Sequence, residues 1–102
     1  MRFLINIKSD SELITYEAIA LGFTLASFDH EVQFYFTDKS SIVLADSESR
    51  LYGMVQSLEL YDLPKAWAAF DVNQFNDVIK DVLTQTEGMQ VDLSLFDSVL
   101  EF

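Results

Sequence analysis

The sequence predicts an α/β fold, a mainly parallel sheet of about five strands with helices on both faces. Three observations lead there. Short apolar runs alternate with stretches of helical periodicity along the whole chain. The first run, Phe3-Leu4-Ile5 with Ile7, lacks the polar alternation of a strand that has one wet face. Half of the 102 residues are apolar, and Gly (3) and Pro (1) are scarce, so the composition is that of a packed core and not of a low-complexity or collagen-like chain. At this length a single domain spanning residues 1–102 is expected.

Arg2 to Ile7 is the first strand. Ser9 followed by Glu12 has the spacing of a capping box, and the spacing predicts a helix from about Asp10 to Ser27. Ile14, Ala18, Leu21 and Leu25 form one apolar face of that helix, and Leu13, Tyr16, Ala20 and Phe23 form a second. One sheet cannot cover both, so either Gly22 marks tight helix-on-sheet packing or a neighbouring subunit covers the remainder. Val32 to Phe36 is the second strand, entered from Asp29-His30-Glu31 and left through Thr37-Asp38-Lys39-Ser40. Ile42, Val43 and Leu44 are a short apolar patch of undefined local structure.

From Ser47, read as its cap, a second helix carries Leu51, Met54, Val55 and Leu58 on one side and ends near Leu60. Pro64 prevents its continuation. Lys65 to Phe70 is a third, buried strand. Asp71 to Glu87 admits two readings. Val72, Phe75, Val78, Ile79, Val82 and Leu83 recur at helical spacing. Alternatively, Val78, Ile79, Val82 and Leu83 form a strand, and Thr84 with Glu87 opens a helix through Leu93 or Leu95. The second reading gives the stricter alternation and is favoured. Asp97 turns the chain into a terminal strand, Ser98 to Phe102.

Seventeen acidic against six basic residues give a net charge of −11, which repels a nucleic-acid backbone, so no direct nucleic-acid binding is expected. The chain has no cysteine, hence no disulfide, thiol nucleophile or sulfur-ligated metal within it. No apolar stretch approaches the ~20 residues of a membrane span, and no basic, apolar and small-residue leader pattern opens the chain; a cytoplasmic location is expected. Lys8-Ser9-Asp10-Ser11 after the first strand holds no glycine to cradle a phosphate, and Asp10 would oppose that of a flavin, so no cofactor is expected. His30, the sole histidine, sits between Asp29 and Glu31 and reads as a solvated turn residue and not as part of a triad or metal site. A glycosidase-like carboxylate pair has little weight where seventeen acids already serve solubility. Phe34-Tyr35-Phe36 has no interleaved basic residues and reads as sheet core instead of a base-stacking platform. No catalytic residues are assigned.

Three local patterns add a resemblance: Leu58-Glu59-Leu60-Tyr61-Asp62-Leu63, then Ala66-Trp67-Ala68-Ala69, then the terminal Leu95-Phe96-Asp97-Ser98-Val99-Leu100-Glu101-Phe102. Together and in this order they resemble the C-type (TusC/DsrF-like) subunit of the Tus sulfur-relay complex, in the DsrE superfamily, over about half of the chain. Members usually carry a Gly-containing loop after the first strand and Asp-Gly after the second, where this sequence has Lys8 to Ser11 and Asp38-Lys39. The resemblance implies a flavodoxin-like three-layer sandwich with a five-stranded, mainly parallel sheet. It also implies a role in passing persulfide sulfur toward 2-thiouridine at the tRNA wobble position, in a hetero-oligomer with homologous B-type and D-type subunits. In that family the D-type subunit carries the sulfur-bearing cysteine near the end of the strand corresponding to Trp67 to Ala69. With no thiolate available, a persulfide cannot form on this chain, and the expectation is a non-catalytic structural subunit.

Candidate subunit contacts are Tyr16, Phe23, Tyr52, Tyr61 and Trp67, because large aromatic anchors dominate interfaces. Partners are the B-type and D-type subunits or a second copy of the chain. Two other classes compete. One is an acidic binding module or inhibitor that mimics nucleic acid; the other is a small-molecule enzyme using the crevice at the carboxyl ends of the strands.

Overall fold

The structure is a computed structural model that describes residues 1–45, 50–75, 77–86 and 92–102. Five strands form one all-parallel sheet: β1 (Arg2–Ile7), β2 (Glu31–Phe36), β3 (Ala66–Ala68), β4 (Leu83–Gln85) and β5 (Ser98–Glu101). Their spatial order is β4-β3-β2-β1-β5. The chain therefore steps outward in one direction from β1 to β4 and then returns across the sheet to β5. Every pairing is parallel, with Ile5 opposite both Phe34 and Leu100. This is the α/β, flavodoxin-like architecture expected from the alternation of strand and helix patterns.

Among the described residues three α-helices lie in the connections: α1 (Glu12–Ser27), α2 (Arg50–Gln56) and α3 (Asp77–Lys80). Helix α1 packs on β1 and β2 and against α2, and α2 packs against α3. Side-chain alternation in the sheet explains the resulting core. Ile5, Ile7, Val32, Phe34, Phe36, Ala66 and Ala68 share one face and meet Leu51, Val55, Leu58 and Ile79. Leu4, Gln33 and Trp67 occupy the opposite face, where Phe96, ahead of β5, meets Trp67.

Several element boundaries differ from those the sequence predicts, each for a local reason. Helix α1 begins at Glu12 and is capped by Ser11, whose Oγ accepts from the Ile14 amide at 3.4 Å, so Ser9 is not the cap. Ser9 Oγ instead accepts from the Ser11 amide at 2.9 Å, and the Lys8 and Ser9 amides donate to Phe102 O. Those bonds hold the loop to the end of β5. The buried face of α1 is Thr15, Ala18, Ile19 and Gly22, which runs between the two apolar faces read from the sequence. Small residues on this seam let the helix approach the sheet closely.

The patch Ile42-Val43-Leu44 lies in a 3₁₀ segment, Asp38–Leu44, that buries Val43 and Leu44 and exposes Ile42. Ser47 lies outside the described residues. Beyond α2 the chain tightens into a 3₁₀ turn, Leu58–Tyr61, and Asp62 ends it in the left-handed conformation at φ 57°. Neither reading of Asp71 to Glu87 holds in full. Val78 and Ile79 lie in α3, Thr84 sits in the middle of β4 and caps nothing, and Asp92 caps a 3₁₀ turn, Leu93–Leu95. Four residues of α3 satisfy the apolar spacing at Val78 and Ile79, after which Leu83 pairs with Ala66. Glu87 and the residues through 91 lie outside the described residues. Among the described residues no helix is long and apolar enough to cross a membrane.

Candidate functional site

Parallel α/β sheets usually bind ligands beyond the carboxyl ends of their strands. Here the loop at that end of β1 has turned its amides inward, to Phe102 O and to Ser9 Oγ. Lys8 Nζ pairs with Glu101 there at 3.1 Å, across exposed surface. A concave feature among the described residues lies at the opposite edge, around the amino ends of β1, β2 and β3. It is a crevice of about 560 Å³, within the ~300–1,000 Å³ typical of ligand-binding clefts.

Four stretches of chain build it. The start of β1 brings Arg2 and Phe3, and the turn from α1 into β2 brings Asp29, His30, Glu31 and Gln33. That turn is fixed by amides of Asp29 and His30 donating to Ala26 O and Leu25 O, with Asp29 in the left-handed region at φ 66°. Tyr61, Asp62 and Leu63 come from the turn after α2, and Trp67 from β3. Leu95 and Phe96 close the far side, ahead of β5. Asp97 positions them, because its Oδ2 accepts from the Arg2 amide at 2.7 Å while its own amide donates to Arg2 O at 2.8 Å.

The walls are aromatic. Trp67 meets Phe96 edge to face at 6.2 Å and 77°, Phe3 meets His30 at 5.3 Å and 78°, and Tyr61 stacks on Phe23 at 4.6 Å and 19°. Polar groups sit among these rings. Arg2 Nε pairs with Glu31 Oε2 at 2.8 Å, and the same guanidinium lies 5.6 Å from the centre of the Phe96 ring. Gln33 Nε2 donates to Phe34 O and Lys65 O at 3.0 and 2.9 Å, tying β2 to the entry of β3 beneath the crevice. No Ser, Thr or Lys lines the crevice among the described residues; its polar groups are Arg2, His30, Gln33, the Tyr61 hydroxyl and the carboxylates of Asp29, Glu31 and Asp62, set among aromatic rings. Among the described residues no group of three or more His, Asp or Glu could hold a metal ion.

The five aromatic candidates do not form one surface. Tyr61 and Trp67 line the crevice, and Phe23 joins them through its stack on Tyr61. Tyr16 lies apart, with Arg50 Cζ 5.7 Å from its ring centre. Tyr52 is 6% exposed and belongs to the core. Arg2, Asp29, Asp62 and Phe96 were not singled out as site residues from the sequence. Asp62 and Phe96 stand inside two of the patterns quoted above, which is the signal that could have found them.

Comparison with family models, with curated proteins and with solved structures returns no match. Fold and site together define a parallel α/β protein with an aromatic, acid-rimmed crevice at the amino edge of its sheet.

Proposed function

We propose that the protein is a non-catalytic structural subunit of a sulfur-relay complex of the TusBCD kind, which passes persulfide sulfur toward 2-thiolation of the tRNA wobble uridine. One observation carries this reading: residues from all three patterns that resemble C-type subunits meet in the amino-edge crevice. Tyr61, Asp62 and Leu63 come from the first, Trp67 from the second, and Leu95 and Phe96 from the third. Patterns up to 35 residues apart in sequence (Tyr61 to Phe96) thus share one surface.

Two further features support it. Leu60 is 83% and Tyr61 55% exposed beside the crevice, an apolar anchor of the kind that protein interfaces bury. The 102 residues contain no cysteine, so the sulfur carrier must be a partner, with homologous B-type and D-type subunits as the partners that the reading requires and the cytoplasm as its compartment.

Co-expression with B-type and D-type homologues from the same genome, followed by native mass spectrometry, tests it. A hetero-oligomer containing all three chains, with persulfide label only on the D-type subunit, is the expected result. Assembly of B-type with D-type chains while this protein stays alone or pairs with itself would overturn it. The net charge of −11 favours a second reading, an acidic protein-binding module or inhibitor. Salt-sensitive binding to a basic nucleic-acid enzyme, with no relay subunit associating, would select that one.

A further inference from the structure

We infer that the amino-edge crevice is a receptor for a basic side chain, an arginine or lysine presented by a protein partner and flanked there by apolar residues. Arg2 shows how this crevice treats a guanidinium. Its Nε is paired with the Glu31 carboxylate at 2.8 Å and its Cζ lies 5.6 Å from the Phe96 ring centre, so charge and π-face act on one cation.

A similar set of groups lies beside it, where the Met1 ammonium is 3.2 Å from His30 Nδ1 and makes no ion pair with a crevice aspartate among the described residues. Asp29 and Asp62 both line the crevice, both are exposed, and neither carboxylate has a hydrogen-bond or ion-pair partner among the described residues. Tyr61 and Trp67 supply ring surface in the same cavity. With Glu31 matched to Arg2, the Asp29 and Asp62 carboxylates remain without an ion-pair partner among the described residues, and the net charge of −11 adds a long-range pull on cations. Both aspartates are the only non-glycine residues with positive φ among the described residues, so each is held on a turn of fixed geometry.

The size and rim of the crevice point to a cation borne on a chain. About 560 Å³ exceeds the need of a lone ammonium ion, and Tyr61 and Leu95, 55% and 51% exposed, offer apolar surface to the residues on either side of the basic one. The inference deepens the relay reading, and rests on it only for which partner brings the side chain.

Trp67 is the single tryptophan, and its position in the crevice makes its fluorescence a direct reporter. The purified protein would be titrated with acetyl-Leu-Arg-Leu-amide and with the same peptide carrying citrulline, the neutral isostere of arginine. The arginine peptide should give a saturable change in Trp67 emission, and the citrulline peptide should bind at least about tenfold more weakly. The double variant Asp29→Asn, Asp62→Asn should lose affinity for the arginine peptide by a similar factor while its circular dichroism and Tm stay unchanged, because Asn tolerates the left-handed backbone.

Equal affinity for the citrulline peptide, an unaffected double variant, or no Trp67 response to the arginine peptide would each overturn the inference. So would methylguanidinium binding as tightly as the peptide, which would mark a site for small free cations. Assembly with B-type and D-type subunits without peptide binding would remove this inference alone. Peptide binding by a protein that joins neither subunit would remove the relay reading alone.

Discussion

Gly22 and Phe34 are in a contact that leaves no room for a side chain on the helix. A Cβ on Gly22 would overlap Phe34 Cζ and come within 2.6 Å of Cε1, in a ring that is 1% exposed. Helix α1 can therefore lie on β2 only because position 22 has no side chain. Ala at this position would gain ~1 kcal/mol of helix propensity, but overpacking a rigid core typically costs ~1–3 kcal/mol. Gly22→Ala is expected to lose up to about 2 kcal/mol net, measured by urea denaturation. In a Phe34→Leu background the same substitution should cost less than it does alone, since the two positions share one contact.

Tyr52 and Tyr61 should separate folding from assembly. Tyr52→Asp buries a carboxylate in the core and is expected to lose about 3–5 kcal/mol or fail to fold. Tyr61→Asp removes a partly exposed stack with Phe23 and should cost only about 1 kcal/mol of stability. If the relay reading holds, native mass spectrometry of Tyr61→Asp with the B-type and D-type subunits should show weakened association of a folded chain.

Gln33 is a buried amide whose Nε2 bridges two backbone carbonyls, Phe34 O and Lys65 O. Gln33→Leu keeps the apolar stem but leaves those acceptors without this donor, and a loss of about 1–2 kcal/mol is expected. Hydrogen exchange should show the extra opening at the Ala66 amide, where β3 begins.

Asp92 carries a pH signature. The Ser94 hydroxyl and then the Ser94 amide donate to its carboxylate at 2.6 and 3.0 Å and hold its pKa below the ordinary aspartate range. A depressed folded-state pKa means that the cap supports the Leu93–Leu95 turn at neutral pH and is lost as pH falls through that lowered value. An NMR titration of the Asp92 carboxyl carbon should give a midpoint below that of an unperturbed aspartate, and Ser94→Ala should move it upward.

The residues that were legible in the sequence are those whose pattern is local. The runs at Phe3 to Ile7 and Val32 to Phe36 are strands because consecutive apolar side chains need cover on both faces of a sheet. The start of α1 was less legible, since Ser9 and Ser11 both precede a helical pattern and only the bonds from Lys8 and Ser9 to Phe102, 94 and 93 residues away, decide between them. Val78, Ile79, Val82 and Leu83 have helical spacing, while the alternation of elements along the chain favours a strand there. The pairing of Leu83 with Ala66 is what ends α3 and starts β4.

By itself the sequence determined a parallel α/β chain, strongly acidic and without thiol chemistry, because composition and the periods of 2 and 3.6 residues record which side of each element must be buried. Only the tertiary structure decided where the elements meet. The strand order β4-β3-β2-β1-β5 brings Arg2, Asp29, Asp62, Trp67 and Phe96 to one edge, and it decides that Phe23 stacks on Tyr61 while Tyr52 turns into the core. The physical reason is that strand order arises from pairings between residues far apart in the chain, and the pattern of any one segment does not record which other segment it will lie beside.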